Sequence, residues 1–449
     1  MTLFCVRNSV TTFPSLAAAA RVWVRIGLLS FGGPAGQIAL MHREVVEQRR
    51  WISERRFLQA LNFCVLLPGP EAQQLATYLG WLMHGVRGGL LAGGLFVVPG
   101  AIVMLVLSAV YATLGDVPLV GALFFGLKCA VLVLVIEALL RIGRRALRGR
   151  AAWALAAAAF VALFVFGVPF PAVVLGAGLV GWLAPDAFSS AAHGADAADT
   201  PALIDAVLAA DPGRPGRLAA GARRAGLVAL VAWLTPVAVL GAVGGRYSEI
   251  ALFFSKMAVV TLGGAYAVLA YVAQDAVQYG WLSPADMLAG LGLAETTPGP
   301  LILVLQFVGF LAGFRAPGAL TGLWGGLAGS VLTLWVTFVP CFAFVFLGAP
   351  LIERLQQNRA LAGALAAVTA AVVGVIGNLS VWFGLRVLFQ STVPVMGVEL
   401  PVLSSLDPAA LAIAALSALC VFRWRLGVLR TLALAAVAGV VVALPRIVG

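Results

Sequence analysis

Five long stretches of this 449-residue chain contain no charged residue. They span residues 88–114, 151–185, 225–245, 316–352 and 360–385. An α-helix needs about 20 consecutive apolar residues to cross the hydrocarbon core of a bilayer, so each stretch is long enough to span a membrane. Across the chain 62% of residues are hydrophobic and only 10% are charged, which is too few charges to solvate a globular surface. The sequence therefore predicts an all-α polytopic integral membrane protein that lies in a lipid bilayer.

The positive charges indicate how the chain is oriented. The formal net charge is +11. Arginines cluster in short segments at residues 42–56, 141–150, 214–224 and 423–430. Such segments stay on the cytoplasmic side of a bacterial inner membrane, whereas residues 115–117 and 390–406 contain no Lys or Arg and are predicted to be external. This pattern places the N-terminus in the cytoplasm and accounts for the basic residues without a nucleic-acid partner.

Residues that bind metals or nucleotides are sparse. The five Cys have no metal or disulfide spacing, and the three His form no cluster. The segment GALFFGLK at residues 121–128 misses the spacing of a nucleotide-binding P-loop by one residue. We therefore predict no metal, no cofactor and no enzymatic activity.

Two segments at an offset of 230 residues indicate an internal duplication. Residues 51–70 read WISERRFLQALNFCVLLPGP and residues 281–300 read WLSPADMLAGLGLAETTPGP. Both begin W-x-S and end P-G-P. Just upstream, FGG at residues 31–33 matches LGG at residues 262–264, at an offset of 231.

The duplication continues further along the chain and suggests its division. LKCAV at residues 127–131 aligns with VTAAV at residues 368–372, at an offset of 241. The segment between the halves is rich in Asp, Arg and Pro, and it contains a candidate short amphipathic helix near residues 201–210. We predict an N-terminal repeat at residues 14–185, a cytoplasmic linker with one extra transmembrane span at residues 186–245, and a C-terminal repeat at residues 246–449.

The extra span reverses the direction in which the second repeat enters the membrane. The two halves are therefore predicted to be inverted-topology repeats, as in many secondary transporters. Each G-G-P or P-G-P motif is predicted to interrupt a helix that lines a cavity, since free backbone groups at membrane depth need protein or water as partners. Residues 57–67 and 70–85 are predicted to form one pair of half-helices, and residues 16–31 and 34–48 a similar pair. For one motif alone, an ordinary proline kink is the competing interpretation.

These motifs resemble those of the chromate ion transporter family in its long, two-domain form. The resemblance covers most of the chain and is densest at RIGLLSFGGPAGQIALMHRE (25–44), RRWIS (49–53), NFCVLLPGPEAQQLATYLGW (62–81), LGGAYAVL (262–269) and ETTPGP (295–300). It implies a secondary active transporter, linked to the proton motive force, that exports chromate and gives chromate resistance. The alternative is a transporter or channel for sulfate or another inorganic oxyanion. Oligomeric state is left open, with a homodimer as one option.

A tetrahedral oxyanion suits the residues around the interruptions. Pro34 and Pro70 each precede the free amides of a helix N-terminus, which attract phosphate- and sulfate-like anions. Glycines allow the backbone to approach closely, and Gln and Thr side chains donate hydrogen bonds without adding charge. The candidate substrate-binding residues are Gly32, Gly33, Pro34, Gln37, Pro68, Gly69, Pro70, Gln73, Gln74, Lys128, Gly263, Gly264, Thr296, Thr297, Pro298, Gly299 and Pro300.

Two carboxylates beside the interruptions are the candidates for proton coupling. Glu71 lies in a first helical turn, where the helix dipole favours a negative charge by about 0.3–1 kcal/mol, so capping alone can explain it. Glu295 lies at the end of a half-helix, where the dipole disfavours a negative charge. An ionisable group without a capping role inside a membrane is a functional candidate, so Glu295 ranks before Glu71.

Lys128 lies near the middle of a predicted span and needs a counter-charge. Glu137 is nine residues away and points to the opposite helix face, and it has Arg141 at i+4 as its own structural partner. Two interpretations of Lys128 stay open. It forms a permanent ion pair with Glu71 or Glu295, or the substrate dianion neutralises it during the transport cycle.

Overall fold

The computed structural model of the protein describes residues 14–448 except 32, 116, 189–201, 212, 262–264, 318–319, 352–357 and 396–397. Its α-helices are α1 Leu16–Leu29, α2 Gly33–His42, α3 Glu54–Val65, α4 Glu71–Leu114, α5 Pro118–Ala146, α6 Arg150–Phe164, α7 Phe170–Leu183, α8 Pro185–Phe188, α9 Leu203–Ala210, α10 Arg214–Val243, α11 Arg246–Val260, α12 Ala265–Gln278, α13 Pro284–Thr296, α14 Val304–Phe314, α15 Gly322–Gly348, α16 Arg359–Leu388, α17 Pro408–Ala418 and α18 Val428–Val448. Strands β1 Thr392–Val395 and β2 Val398–Pro401 pair antiparallel. Short π-helical segments lie at Arg43–Gln48 and Leu419–Arg423, and 3₁₀ turns at Leu301–Leu303, Ala349–Leu351 and Leu403–Ser405.

In the described part of the chain, six helices are long and apolar enough to cross a membrane. They are Glu71–Leu114, Pro118–Ala146, Arg214–Val243, Gly322–Gly348, Arg359–Leu388 and Val428–Pro445. Further apolar helices of 10–17 residues accompany them, and the two strands form only a small hairpin after α16. The prediction of an all-α polytopic membrane protein is confirmed. The helix predicted near residues 201–210 is α9.

Helix α4 consists of two helices joined by a sharp turn. His84 and Gly85 leave the helical region, and Gly85 has φ 64°. We call residues 71–83 α4a and residues 86–114 α4b. A Cβ on Gly80 would lie 2.4 Å from the Gly88 carbonyl oxygen, and one on Gly93 would lie 2.1 Å from Thr77 Oγ1. The two segments therefore pack side by side in opposite directions, and small residues permit their close approach.

Helix α3, residues 66–70 and α4a form a helical hairpin, which we call hairpin A. At the start of α3, the Arg56 side chain binds Asp205 of α9. At the end of α4a, Arg214 of α10 donates from Nη2 to the Met83 carbonyl oxygen at 2.6 Å. Since Asp205 of α9 and Arg214, the first residue of α10, are only nine residues apart, both ends of hairpin A lie on the same face of the protein.

The backbone before hairpin A also contacts the linker. The amides of Leu203 and Ile204 donate to the carbonyl oxygens of Arg50 and Trp51 at 3.0 and 3.1 Å. Burial alone would raise the pKa of the Asp205 carboxyl, but hydrogen bonds from Arg56 and from the Ala202 amide outweigh burial and hold that pKa below its usual range. Asp205 therefore stays ionised near neutral pH, and its stabilising contribution is lost only as the pH falls through its lowered pKa.

Helix α13, residues 297–303 and α14 form a second helical hairpin, which we call hairpin B. Arg315, just after α14, donates from Nη1 to Asp286 Oδ2 at 2.8 Å and from Nη2 to Oδ1 at 3.3 Å. Asp286 lies in the first turn of α13. The two ends of hairpin B are therefore also adjacent.

Helix α4b shows that the two hairpins open on opposite faces. Near its start, Arg87 lines the same surface cavity as Arg214, beside the end of hairpin A. Near its end, the Tyr111 hydroxyl donates to Asp286 Oδ1 at 2.7 Å, beside the ends of hairpin B. At 1.5 Å per residue, Arg87 and Tyr111 are about 36 Å apart along the helix. Hairpins A and B therefore enter the molecule from opposite ends of this span.

Candidate functional site

The tips of the two hairpins meet the ends of α1 and α11 in the interior of the protein. We call this region, formed by Ser30, Gly69, Thr261 and Gly299, the central crossing. The Gly69 amide donates to the Thr261 carbonyl oxygen at 2.8 Å, and the Gly299 amide donates to the Ser30 carbonyl oxygen at 2.8 Å. Each P-G-P turn is thus bonded to the helix end that precedes the glycine pair of the other half of the chain.

Backbone geometry at the central crossing requires glycine. Gly69 has φ 120° and Gly299 has φ 93°, a region that L side chains rarely adopt. Helix α4b also approaches the second turn closely, because a Cβ on Gly100 would lie 2.0 Å from the Pro298 carbonyl oxygen. Since Gly100 lies midway along α4b, the second P-G-P turn is near the middle of that span. Pro300 follows the turn and precedes the 3₁₀ segment Leu301–Leu303.

The three glutamines predicted to bind substrate form hydrogen bonds within the protein, and two of them bond to the P-G-P turns. Gln37 donates from Nε2 to the Gly299 carbonyl oxygen at 2.6 Å, and Gln74 donates to the Pro68 carbonyl oxygen at 2.6 Å. Gln73 donates to Thr77 Oγ1 at 3.1 Å. One of the two N–H donors of each amide is therefore engaged within the protein.

The two threonines before the second P-G-P turn are similarly engaged. The hydroxyls of Thr296 and Thr297 both donate to the Leu293 carbonyl oxygen, at 2.8 and 2.7 Å. These bonds close the last turn of α13, where backbone carbonyls otherwise lack partners. In this conformation the threonines terminate the helix and present no free hydroxyl proton.

A cavity of about 290 Å³ lies against the first interruption. It is lined by Pro34, Ala35, Ile38, Glu71, Arg141, Ile142, Arg145, Ala146, Tyr266 and Thr369. We call it the inner cavity. Pro34 belongs to the first turn of α2 and Glu71 to the first turn of α4a, so two helix N-termini reach it. Their partial positive charge adds to the two arginines of α5, and together they can bind an anion.

Glu295 lies directly behind the wall of the inner cavity. It is 6% exposed, and the Tyr266 hydroxyl donates to its Oε1 at 2.8 Å. Tyr266 itself lines the cavity, so it separates the buried carboxylate from the space where an anion would bind. Glu71 lines the cavity directly, and no described residue forms a hydrogen bond or ion pair with it. The two predicted proton-coupling carboxylates thus lie on the same cavity, one at its surface and one behind a tyrosine.

Lys128 lies outside this site. It lines a separate cavity with Arg386 and the first residues of α13. The interpretation of a permanent ion pair between Lys128 and Glu71 or Glu295 is wrong in this structure, because no carboxylate among the described residues lies within ion-pair distance of Lys128. Glu71 and Tyr266, the hydrogen-bond partner of Glu295, line the inner cavity, which does not include Lys128. Glu137 pairs with Arg141 at 3.4 Å, as expected from their spacing.

Several predicted site residues lie outside the described part of the chain, and two arginines that line the inner cavity were not predicted as site residues. Gly32, Gly263 and Gly264 lie outside the described residues, whereas Gly33 has φ 76° and begins α2. Sequence reasoning used Arg141 as an orientation signal and as the partner of Glu137, and it used Arg145 only as an orientation signal. Their i, i+4 spacing puts two guanidinium groups on one helix face, and this spacing could have indicated that they bind one anion together.

Among the described residues, no group of His, Cys, Asp and Glu is arranged to hold a metal ion.

Comparison with known proteins identifies the family. The family described as chromate transporter matches residues 17–182 and 248–440, which is most of the chain in two regions. The chain belongs to the chromate transporter family. This is a family of transporters, in agreement with the multi-pass helical fold.

Individual relatives in this family match over most of their length. A chromate transport protein of Pseudomonas aeruginosa is 32% identical over 82% of this chain and 80% of its own. A chromate transport protein of Cupriavidus metallidurans is 26% identical over 82% of this chain and 83% of its own. A probable chromate transport protein of Synechococcus elongatus is 25% identical over 82% of this chain and 85% of its own. No solved structure matches the chain significantly.

Proposed function

We propose that this protein is a secondary active transporter of the bacterial inner membrane that exports chromate, is linked to the proton motive force and gives chromate resistance. The observation that carries the proposal is the inner cavity, where Arg141, Arg145 and two helix N-termini converge. Relatives named chromate transport proteins over most of the chain support the choice of substrate.

The inner cavity suits a small, doubly charged anion better than a large organic one. A tetrahedral dianion accepts hydrogen bonds in several directions, so it can bind helix amides and guanidinium groups together. The amides after Pro34 and Pro70 would bind it from one side and the α5 arginines from the other. Shape and charge at this site do not separate chromate from sulfate, so sulfate competition belongs in the test.

The membrane potential alone can drive export of a dianion. Moving one charge across the membrane is worth about 2.3 kcal/mol per 100 mV, so two charges gain about 4.6 kcal/mol when the inside is negative. Proton coupling through Glu295, Tyr266 and Glu71 would add a dependence on the pH gradient. The two contributions are separable, since ionophores can impose either gradient without the other.

We further infer that the halves of the chain are inverted-topology repeats with discontinuous helices, with the linker and N-terminus cytoplasmic. Two observations support this inference. Hairpins A and B have their ends at opposite ends of α4b. Their tips make reciprocal bonds, from Gly69 to Thr261 and from Gly299 to Ser30. Such an arrangement puts the candidate site between the repeats, as in many secondary transporters.

Cysteine labelling tests the orientation of the hairpins. Gln48 lies before hairpin A and Tyr279 before hairpin B, and both side chains are exposed. In a cysteine-free background, Gln48→Cys is expected to react with an impermeant maleimide only from the cytoplasmic face, and Tyr279→Cys only from the external face. Reaction of both from one face would overturn the inverted arrangement.

Chromate flux in everted vesicles tests the cavity, because these vesicles expose the cytoplasmic face to the medium. Arg145→Gln is expected to raise the half-saturating chromate concentration about tenfold, since losing a charged hydrogen bond costs about 1.5 kcal/mol. Arg144→Gln is the matched control, because Arg144 is adjacent and exposed but does not line the cavity. We expect Arg144→Gln to leave half-saturation nearly unchanged.

Two results would count against the proposal. Unchanged half-saturation in Arg145→Gln would show that the inner cavity does not bind the substrate. Absence of chromate uptake by the parent protein under every imposed gradient, together with uptake of labelled sulfate, would replace chromate by sulfate as the substrate.

A further inference from the structure

A second cavity, of about 410 Å³, lies near the ends of hairpin B. It is lined by Phe125, Lys128, Cys129, Ser283, Pro284, Ala285, Leu288, Leu385, Arg386, Val387, Phe389, Gln390, Ser391 and Thr392. We call it the outer cavity, because hairpin B opens on the face opposite the linker. Lys128 and Arg145 are 17 residues apart on α5, so the two cavities are about 25 Å apart along this helix.

The outer cavity uses the same positions of the duplicated sequence as the inner one. At the offset of 241 residues, Lys128 corresponds to Thr369 and Arg145 to Arg386. Thr369 and Arg145 line the inner cavity, whereas Lys128 and Arg386 line the outer cavity. Each cavity therefore combines a position from the middle of one helix with an arginine from the end of its repeat partner.

Lys128 is the main charge difference between these corresponding positions. It lies about 15 Å along α5 from Pro118, and no described side chain forms an ion pair or hydrogen bond with it. The nearby carboxylate of Asp286 is held by Arg315 and Tyr111 instead. Placing an ammonium group inside a membrane segment costs free energy unless a negative charge lies beside it. An anion bound in the outer cavity would supply that charge.

Arg386 is the second basic residue that lines the outer cavity, and Glu399 balances its charge. It donates to Glu399 of β2 at 2.6 and 3.1 Å, and its guanidinium carbon lies 4.3 Å from the centre of the Trp382 ring. These contacts orient the guanidinium group beside the cavity. The hydroxyls of Ser391 and of Thr392, the first residue of β1, add donors that carry no charge.

We propose that the outer cavity is a second oxyanion site, from which the transported dianion leaves on the external face, and that Lys128 is its main ligand. The proposal rests on the proposed function, since the dianion is the substrate of the inner cavity. Because the corresponding position in the inner cavity is Thr369, the two sites differ in charge. Lys128 then determines affinity on the external face without contacting substrate on the cytoplasmic one.

Face-specific binding measurements test this site in oriented proteoliposomes. The half-inhibitory concentration of external chromate on chromate efflux reports the outer cavity, and half-saturation from the cytoplasmic face reports the inner one. Lys128→Gln is expected to raise the external half-inhibitory concentration about tenfold, the effect of losing one charged hydrogen bond. Cytoplasmic half-saturation should stay within about twofold of the parent, and Arg145→Gln should show the reverse pattern.

The chain offers a matched control, because Lys128 and Lys256 are its two lysines. Lys256 does not line the outer cavity. It lines a neighbouring cavity with Asp275, and that cavity shares Leu385 and Arg386 with the outer one, so Lys256→Gln should change the external half-inhibitory concentration much less than Lys128→Gln does. If Lys128→Gln is poorly folded, Lys128→Arg keeps the positive charge but replaces the compact ammonium group with a planar guanidinium group. A rise in the external half-inhibitory concentration, without a change in cytoplasmic half-saturation, is expected for it as well.

The outcomes distinguish this inference from the proposed function. Parent protein that transports chromate, with external inhibition unchanged in Lys128→Gln, would overturn the outer site and leave the transporter intact. An equal change on both faces would also overturn it, because Lys128 would then act on a single shared site. Parent protein that does not transport chromate would instead overturn the proposed function.

Discussion

Glu295→Gln is expected to abolish stimulation of chromate transport by a pH gradient while leaving transport driven by the membrane potential. The physical reason is that Glu295 is a buried carboxylate whose described partner is the Tyr266 hydroxyl, which separates it from the inner cavity. Glutamine keeps the shape and can still accept the tyrosine hydrogen bond, but it cannot bind or release a proton. Flux in proteoliposomes, measured with each gradient imposed separately, should fall to the level that the potential alone supports.

Two further variants sharpen this test. Tyr266→Phe keeps the ring in the cavity wall but removes the hydroxyl, so we expect it to weaken the pH-gradient effect without changing chromate affinity by more than about twofold. Glu71→Gln serves as the comparison, because Glu71 faces the cavity and is the second candidate. Normal pH-gradient stimulation in Glu295→Gln, with its loss in Glu71→Gln, would transfer the coupling role to Glu71.

Gly100→Ala is expected to cost the protein most of its transport activity. The new Cβ would lie 2.0 Å from the Pro298 carbonyl oxygen, closer than any real contact, so the second P-G-P turn or α4b must move. Movement of that turn would break the bond from the Gly299 amide to Ser30. Overpacking of this kind costs about 1–3 kcal/mol or more, so both thermal stability in detergent and chromate flux should fall, the latter at least about tenfold.

Gly94→Ala is the matched control for this prediction. Gly94 lies on the same helix, and a Cβ there would meet nothing within 4 Å. Because alanine favours a helix over glycine, we expect Gly94→Ala to fold at least as well as the parent and to transport normally. If Gly100→Ala matched this control in flux and in melting temperature, close contact between α4b and the P-G-P turn would not be needed for function.

The membrane class and the positions of the helix interruptions could be predicted because both depend on local sequence. Charge-free stretches identify spans through their hydropathy, and Pro and Gly change backbone geometry wherever they occur. The P-G-P motifs at residues 68–70 and 298–300 do lie between consecutive helices. Pairing of Glu137 with Arg141 also followed from i, i+4 spacing alone.

The candidate site was only partly predictable. Glu71, Pro34 and Glu295 were selected from their places beside the interruptions, and all three are found at or behind the inner cavity. Gln37 and Gln74 were selected for their free donors, but those donors bind the backbone of the turns. A buried carbonyl oxygen in a broken helix must find a donor, and in this fold the neighbouring glutamines supply it.

By itself, the sequence determined that this is a helical membrane protein, and it predicted two related halves with interruptions at glycine and proline motifs. Only the tertiary structure decided that Gly69 bonds to Thr261 and Gly299 to Ser30, that Arg141, Arg145 and Tyr266 share a cavity, and that Lys128 lies in another. The reason is that helix formation depends on neighbours along the chain, whereas these contacts join residues from distant segments. Their meeting depends on how closely glycine-lined helix faces pack, and no local pattern of the sequence specifies that distance.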